Sequence, residues 1–287
     1  MSRIGVVGLG MMGNPMAHLL HEAGYALVVK DADPQAEQRF VQAHPGTVSA
    51  SGPQSFAECD VVMTMLPNSD IVDKVVNELA PHLKRGACII EMSSADPNRT
   101  RALVGLLRER GAGLIDAPVS GGVKKAVNGT LSIMVGGEPA DFERCRPILE
   151  KMGKDITHVG PAGSGHALKA LNNYVSAAAL IATAEAVHAG AAFGIDPETV
   201  VNVINASTGK NNTTENKAHQ YMLNGAFNSG FSLALQAKDV GIAAKLGPSL
   251  GLPMDLAQKV SAMANDASAK LGKAADHTEL YKYVAKE

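Results

Sequence analysis

The chain has 287 residues, of which 46% are hydrophobic and 19% are charged. This length and balance are typical of a globular protein with one large domain or two ordinary ones. The formal net charge of -2 does not favour nucleic acid or an anionic membrane as a partner. Aromatic residues make up only 4% and tryptophan is absent, so no stacking surface for single-stranded nucleic acid is expected.

Three cysteines, Cys59, Cys88 and Cys145, lie far apart and lack CxxC spacing. Isolated cysteines in odd number predict reduced thiols in a cytoplasmic protein, with neither a disulfide framework nor a zinc site. No group of His, Asp and Cys has the spacing of a metal site, so no metal is expected. The N-terminal stretch MSRIGVVGLG leads directly into an apolar strand candidate, and we expect no signal peptide.

Short strand-like runs alternate with helical patterns as far as about Gly160. The predicted strands are residues 4–7, 26–29, 61–65, 88–91, 114–116 and 131–135, and segments rich in Glu, Arg and Ala separate most of them. Such alternation is typical of βαβ units. The sequence therefore predicts an α/β fold whose N-terminal part is a doubly wound, mostly parallel sheet with helices on both faces.

The motif GLGMMG follows the first predicted strand and opens a helix. In this context Gly8 allows a tight turn, Gly10 lets the backbone approach a pyrophosphate, and Gly13 lets the helix pack on the strand. The N–H groups at the helix start also suit phosphate. We interpret the motif as the dinucleotide-binding loop of a Rossmann domain, and a glycine turn without a ligand is the alternative. The predicted cofactor contacts in it are Gly8, Leu9, Gly10, Met11, Met12 and Gly13.

Asp31 follows the second predicted strand, 18 residues after Gly13. An acidic residue about 20 positions beyond the glycine loop accepts hydrogen bonds from the adenosine ribose and repels a 2′-phosphate. The next residue is Ala32, so no adjacent arginine is available to hold that phosphate. We predict NAD rather than NADP as the cofactor; alternatively, Asp31 only begins the turn DADP.

The segment DAPVSGG, residues 116–122, lies at the end of another predicted strand. Pro118 and the pair Gly121 and Gly122 break the strand into a loop with exposed backbone N–H groups, and Ser120 adds a hydroxyl. Such a loop can bind a substrate carboxylate through amides rather than through an arginine. An ordinary turn is the alternative.

Beyond about Gly160, strand-like runs nearly vanish and helical patterns take over. We place a domain boundary in GPAGSG, which gives a dinucleotide-binding domain of residues 1–162 and a helical domain of residues 163–287. A helix from about His166 to Phe193 is apolar on nearly every face, which predicts burial on all sides. Its most apolar part carries Glu185 and His188, which favours a core helix over a membrane span.

Lys169 stands out inside this apolar helix, because lysine is almost never fully buried without a partner. Residues four apart share a helix face, so Lys169 and Asn173 project together. Near a nicotinamide, an ammonium group can donate a proton to a carbonyl as hydride arrives and accept one in the reverse direction. From this stretch alone, a lysine at the surface edge of the helix is the simpler alternative.

Lys238 and Asp239 end another apolar helical stretch, FSLALQAKDV. The default interpretation of such a pair is a surface ion pair that contributes little. In the functional hypothesis, Lys238 instead reaches the cofactor.

Four motifs occur in order, namely GLGMMGNPMA, DAPVSGGVKKAVNGTLSIMVGG, GSGHALKALNN and FSLALQAKDV. Together they resemble the β-hydroxyacid dehydrogenase family, which includes 3-hydroxyisobutyrate dehydrogenases and tartronate semialdehyde reductases. The resemblance runs essentially from end to end. It implies a Rossmann domain joined by a long helix to a helical domain, usually in homodimers or homotetramers.

The resemblance also implies roles for individual residues. Lys169 matches the family's catalytic lysine and Asn173 its substrate-positioning asparagine, while Ser120, Gly121 and Gly122 match the substrate-binding loop. The matching cofactor contacts include Met65, Leu66 and Pro67, which lie along the cofactor in the family, and Ser94, which lies near the nicotinamide. Lys238 matches a lysine that closes on the cofactor, and Asp31 matches the aspartate of NAD-preferring members.

The segment STGKNNTTENK, residues 207–217, is less typical of the family. It replaces aromatic or small residues that some members carry in a region that faces the substrate. Lys210, Asn211 and Asn212 either favour an additional anionic or hydroxylated group on the substrate or form a solvated loop at a helix end. The substrate's identity therefore stays open.

The expected function is an NAD-dependent oxidoreductase that interconverts a small 3-hydroxy acid and its semialdehyde or keto acid, like 3-hydroxyisobutyrate dehydrogenase. One alternative is a reductase of tartronate or succinic semialdehyde. Another is a non-catalytic dinucleotide-binding module that acts in protein interaction, and a third is an imine reductase. Relatives of the last two kinds usually lack the catalytic lysine, so Lys169 argues against both.

Overall fold

The computed structural model describes residues 3–272 and 274–285. The chain divides into two compact units, residues 1–169 and residues 170–287. A single helix runs through both units, so the boundary between residues 162 and 163 that composition suggests stays a prediction.

One sheet organises the first unit, with the strand order β3-β2-β1-β4-β5-β6-β8-β7 and β9 beside β8. The strands are β1 (Arg3–Val7), β2 (Ala26–Lys30), β3 (Val48–Ser49), β4 (Val61–Thr64), β5 (Cys88–Glu91), β6 (Gly113–Asp116), β7 (Val119–Ser120), β8 (Leu131–Gly136) and β9 (Gly153–Gly160). Strands β1 to β6 run parallel, as predicted, whereas β8 is antiparallel to β6 and β7. The order reverses between β1 and β4, and ligands of such sheets bind at the carboxyl ends of strands at this point.

The helices of this unit are α1 (Gly13–Glu22), α2 (Pro34–Ala43), α3 (Ser69–Leu79), α4 (Pro97–Glu109), α5 (Gly122–Val127) and α6 (Pro139–Leu149). Successive residues of one strand face different hydrophobic cores, with Val62 and Ile89 in one and Met63 and Ile90 in the other. Burial on both faces explains why these strands are continuous apolar runs rather than alternating patterns.

Strand β9 has no counterpart among the predicted strands. Among the strands of the described residues it pairs with β8 alone, and most of its residues are exposed or partly exposed. Because such a strand buries little, its sequence GKDITHVG lacks the apolar run that marks the central strands.

The second unit is helical, as expected. Its helices are α7 (Ser164–Phe193), which begins in the first unit, α8 (Pro197–Asn205), α9 (Asn212–Asn216), α10 (Leu233–Ser249), α11 (Asp255–Leu271) and α12 (Leu280–Ala285). One hydrophobic core of this unit gathers Leu180 of α7, Leu233 and Val240 of α10, and Val260 of α11.

The prediction that α7 is buried on all sides is wrong. Its buried residues recur every three or four positions, as Lys169, Asn173, Ala177 and Leu180 do, whereas Val175 is 62% exposed. The alanine-rich sequence conceals this asymmetry, because alanine is apolar on both the packed and the open face. By length and composition alone, α7 is also long and apolar enough to cross a membrane.

Candidate active site

The three glycines of the loop between β1 and α1 meet three different constraints. Gly8 has φ of +102°, and a Cβ atom there would collide with the Met65 carbonyl oxygen. A Cβ atom at Gly13 would collide with the Gly8 carbonyl oxygen, whereas one at Gly10 would meet no heavy atom within 4 Å. Packing within the protein therefore requires glycine at positions 8 and 13. At Gly10, the missing side chain leaves a space that a bound group can enter.

A groove of about 570 Å³ opens beside this loop. Its lining includes the glycine-loop residues Leu9 and Gly10, Asp31 after β2, and the exposed Val123 and Val127 of α5. One wall thus offers backbone and a carboxylate, and another offers apolar side chains. Such a combination fits the phosphates, ribose and base of a dinucleotide.

The Asp31 carboxylate ties the groove to the glycine loop. Its Oδ2 accepts a hydrogen bond from the Leu9 N–H at 2.5 Å, and its Oδ1 accepts one from the Asp33 N–H at 2.8 Å. Asp31 therefore begins the turn before α2 and also lines the groove. Sequence reasoning missed Arg39, which lines the same groove with its guanidinium 3.5 Å from the Asp33 carboxylate.

The loop after β4, Met65 to Pro67, lies against the glycine loop. The Met65 carbonyl and the Leu66 side chain are the atoms that a Cβ atom at Gly8 would meet first. The Leu66 N–H donates to Ser93 Oγ at 2.8 Å, which connects this loop to the segment after β5. Ser94, the predicted nicotinamide neighbour, is the next residue and is partly exposed.

The segment Ser120 to Gly122 is the tight connection from β7 to α5, with Gly122 as the first residue of the helix. Ser120 ends β7 opposite Ser132 of β8. Gly121 and Gly122 have φ values of +131° and +65°, a region that favours glycine. Both glycines are exposed, and they lead into α5, whose valines line the groove.

The Lys169 side chain is 9% exposed, so the alternative of a lysine at the surface edge is wrong. Asn173 lies one turn further along α7 and is 8% exposed. In the second unit, its Nδ2 donates to Asp239 Oδ2 at 2.7 Å, and its Oδ1 accepts from Asn172 at 3.2 Å. These bonds fix the orientation of the Asn173 carboxamide.

Lys238 and Asp239 form the ion pair that sequence predicts as the default, with Lys238 Nζ 3.3 Å from Asp239 Oδ1. Only the lysine of this pair is near the surface, because the Asp239 side chain is 4% exposed. Asp239 therefore joins Lys238 to Asn173, which lies 66 residues earlier in the chain. Sequence reasoning gave Asp239 no such role, because nothing in the order of residues marks this contact.

A buried polar network lies in the first unit at the start of α7, and sequence reasoning missed it. His166 Nε2 is 2.8 Å from Glu91 Oε2, and His166 Nδ1 is 2.8 Å from Thr100 Oγ1. The Asp116 carboxylate accepts from the backbone N–H groups of Gly163 and His166 at 2.7 and 2.8 Å. The only signal in the sequence is the position of Glu91 and Asp116 at the ends of apolar strands.

Within this network, the surroundings of Glu91 and His166 favour their charged forms. Burial opposes charge on Glu91, but the charge and hydrogen bond of His166, together with hydrogen bonds from Ser93, hold the pKa of Glu91 below its ordinary value. Burial likewise opposes charge on His166, but Glu91 and then Asp116 raise the pKa of this imidazole. The His166 imidazole thus lies between two carboxyl groups that favour its protonation, three residues before Lys169.

The segment of Lys210, Asn211 and Asn212 fits the solvated-loop alternative. Lys210 Nζ lies 2.8 Å from Glu215 Oε1, and both side chains are about half exposed. Asn211 caps α9, because its Oδ1 accepts from the N–H groups of Thr213 and Thr214. The Lys210 charge is therefore compensated within its own segment, while Asn211 Nδ2 donates to the Gly209 carbonyl at 3.0 Å and to Thr183 Oγ1 of α7 at 3.3 Å.

The structure brings the predicted residues together in two sets. In the first unit, Gly8 to Gly13, Asp31 and Met65 to Pro67 adjoin one another, and α5 after Ser120 to Gly122 borders the same groove. In the second unit, Asn173 and Lys238 share Asp239. In the described part of the chain, no group of three or more His, Cys, Asp or Glu side chains could hold a metal ion; the absence of a metal requirement stays a prediction.

Two family models cover almost the whole chain. Residues 3–160 match the NAD-binding domain of 6-phosphogluconate dehydrogenase. Residues 163–284 match the NAD-binding model of NADP-dependent 3-hydroxyisobutyrate dehydrogenase.

Individual relatives agree with these models. The chain is 37% identical to 2-(hydroxymethyl)glutarate dehydrogenase of Eubacterium barkeri, over 88% of this chain and 85% of that enzyme. It is also 37% identical to the NAD-dependent L-serine dehydrogenase of Pseudomonas aeruginosa, over 85% of this chain and 84% of that enzyme. The solved structure of Mycobacterium tuberculosis 3-hydroxyisobutyrate dehydrogenase with L-serine has a TM-score of 0.93, with 32% identity and 98% of each chain covered.

Proposed function

The chain belongs to the β-hydroxyacid dehydrogenase family, and on this premise we propose which of its residues carry the reaction. It is an NAD-dependent oxidoreductase that acts on a CH–OH group of a small hydroxy acid. We propose that residues 1–162 hold the cofactor and that residues 163–287 complete the substrate site.

The residues of the groove fit NAD. Gly8 to Gly13 would hold the pyrophosphate, and Asp31 would accept hydrogen bonds from the adenosine ribose. We assign Met65 to Pro67 and Ser94 to the nicotinamide half, with Lys238 closing on the cofactor. When bound, the nicotinamide supplies the hydride acceptor.

We assign the residues around the substrate to three roles: carboxylate binding, hydroxyl orientation and proton transfer. The backbone N–H groups of the Ser120 to Gly122 loop and the Ser120 hydroxyl bind the carboxylate, and Asn173 orients the reacting hydroxyl. Lys169 accepts the hydroxyl proton during oxidation and returns it to the carbonyl oxygen during reduction. The observation that carries this assignment is the burial of Lys169 one turn before Asn173, whose carboxamide Asp239 holds in place.

The relatives' names narrow the substrate. L-serine, 3-hydroxyisobutyrate and 2-(hydroxymethyl)glutarate each carry a hydroxymethyl group on the carbon next to a carboxylate. We propose the same unit for the substrate of this chain, which makes the oxidation product a semialdehyde. Reduction of tartronate or succinic semialdehyde is the alternative, and rates measured in both directions distinguish the two.

For assembly and location, we propose a cytoplasmic homodimer or homotetramer without nucleic acid or membrane partners. The open apolar face of α7 supports self-association, because Val175 and Phe193 are 62% and 86% exposed in the single chain. The three cysteines are buried and unpaired, as expected of a protein from a reducing compartment.

The test is the Lys169→Ala variant, assayed with NAD and a panel of hydroxymethyl acids. We expect kcat to fall at least about 100-fold, the usual contribution of a general acid–base group, while the Kd for NAD stays near that of the wild type. Lys245→Ala, at an exposed lysine of α10, is the matched control and should not change kcat. Turnover near the wild-type rate in Lys169→Ala would refute the assignment, and leave a non-catalytic role for this lysine.

A further inference from the structure

Lys217 is a partly buried cation between α9 and a short π-helix, Ala218–Met222. Its Nζ donates to Ser176 Oγ of α7 at 3.1 Å. Ser176 lies three residues after Asn173 and one turn after Asn172, which places it about 4.5 Å further along the helix axis than Asn173. The ammonium group of Lys217 therefore reaches the helix next to the residue proposed to orient the substrate hydroxyl.

No carboxylate of the described residues lies within 4.0 Å of this ammonium group, the limit for an ion pair. Burial lowers the pKa of Lys217, and the more distant charge of Asp276 opposes this effect. The Asp276 oxygens already accept hydrogen bonds from Ser229 Oγ and from the N–H groups of Gly230 and Thr278. Partial withdrawal of a cation from water without an adjacent anion has a cost, and a ligand that brings negative charge would offset that cost.

Lys210, on the same segment, differs from Lys217 in both exposure and charge partner. Lys210 is half exposed, and Glu215 lies 2.8 Å from its ammonium group. Its charge is thus solvated and compensated within its own loop. Lys217 has a hydroxyl as its hydrogen-bond partner instead, and both Nζ and Ser176 Oγ retain N–H or O–H groups to donate.

We propose that Lys217 and Ser176 bind a second anionic group of the substrate, so that the preferred substrate is a hydroxymethyl acid with a second carboxylate on its side chain. This inference rests on the proposed function for the position of the first carboxylate and the hydroxyl. Lys217 takes no part in the proton transfer. It favours dicarboxylates among acids that share the same reacting hydroxymethyl group.

The test compares Lys217→Met and Lys210→Met with the wild type on two substrates, 3-hydroxyisobutyrate and 2-(hydroxymethyl)glutarate. A charge-assisted hydrogen bond to an anion corresponds to about a 10- to 100-fold effect. In Lys217→Met we expect kcat/KM to fall by about that factor for the dicarboxylate, mainly through KM, and to change less than about twofold for the monocarboxylate. Lys217→Arg should restore part of the loss, and Lys210→Met should behave as wild type. Equal losses on both substrates in Lys217→Met would overturn the inference.

A binding measurement separates this inference from the proposed function. Glutarate lacks the hydroxymethyl group and cannot be oxidised in the same way, so calorimetric titration with NAD present reports binding alone. If no hydroxy acid is turned over but glutarate binds and loses affinity in Lys217→Met, the proposed function fails and the anion site stands. If monocarboxylates are oxidised while glutarate affinity is the same in both proteins, the function stands and the anion site fails.

Discussion

The imidazole of His166 and the carboxylate of Glu91 lie 2.8 Å apart, and their side chains are 0% and 1% exposed. Glu91 ends β5, two residues before Ser93 and three before Ser94, and His166 lies in the first turn of α7. The pair therefore links the segment assigned to the nicotinamide with the helix that carries Lys169. We expect the pair to affect catalysis by positioning this segment and this helix, because neither group is assigned to contact the reacting atoms.

We predict that His166→Gln lowers both stability and kcat. The substitution leaves Glu91 buried without its counter-charge, which costs about 3–5 kcal/mol of unfolding free energy in comparable pairs. Urea unfolding measures this loss, and the double variant with Glu91→Gln should lose less than the two single variants together. The exposed pair of Lys84 and Asp60, 2.7 Å apart, is the control: Lys84→Met should cost less than about 1 kcal/mol. Additive losses in the double variant would show that the pair does not act as a unit.

The same pair predicts a pH dependence of stability. The raised pKa of His166 means that its contribution is complete below 6.5, its ordinary value, and is lost as pH rises through the folded-state pKa. The lowered pKa of Glu91 means that its contribution is complete above 4.5 and is lost as pH falls through the folded-state pKa. The stability difference between wild type and His166→Gln should therefore be largest between pH 4.5 and 6.5 and should decrease at higher pH. Unfolding curves across this range provide the measurement, and a difference that grows above pH 6.5 would contradict the assignment.

The sequence predicts the first unit well because its information is local. A central strand buried on both faces, such as Cys88–Glu91, is an apolar run that can be recognised in isolation. Likewise, Gly8 and Gly13 are required by a turn and a close approach within one βα unit. The edge strand β9 and the open face of α7 escaped prediction because neither peripheral burial nor the side of an alanine-rich helix leaves a clear pattern.

Contacts between distant residues are the other gap. His166 meets Glu91 across 75 positions, and Asn173 meets Asp239 across 66. The motifs identify Asn173 and Lys169. Only the folded chain reveals that Asp239 contacts Asn173 and that Glu91 contacts His166 at the start of the same helix. Lys217 is a similar case, because the sequence draws attention to Lys210 in the same polar segment and gives no sign of which lysine is partly buried.

Cofactor preference should depend on Asp31 and, through Asp33, on Arg39. Asp31→Ala removes the acceptor for the ribose hydroxyls, and we expect kcat/KM for NAD to fall about 10- to 100-fold. Adding Asp33→Asn releases Arg39 from its 3.5 Å ion pair while keeping a side chain that caps α2, so use of NADP should rise further. Steady-state kinetics with both cofactors check this order. A wild-type preference for NADP would contradict the role given to Asp31.

Self-association should depend on the open face of α7. A charge introduced by Val175→Glu faces solvent in the single chain, where this side chain is 62% exposed, so the fold should tolerate it. In an oligomer that covers this face, the buried charge would weaken association strongly. Sedimentation velocity should then show smaller species for Val175→Glu than for the wild type. An unchanged sedimentation coefficient would place the interface elsewhere.

Substitution by alanine should weaken NAD binding at both Gly8 and Gly10, but should lower stability only at Gly8. Gly8→Ala places a methyl group against the Met65 carbonyl at φ of +102°, so we expect a clear fall in Tm and loss of NAD binding together. Gly10→Ala meets no protein atom within 4 Å, so Tm without cofactor should stay within about 2 °C of the wild type. The added methyl group would nevertheless occupy the space assigned to the pyrophosphate, and the Kd for NAD should rise at least about tenfold. Thermal unfolding with and without NAD measures both effects. If Gly10→Ala binds NAD as tightly as the wild type, the pyrophosphate does not lie over this glycine.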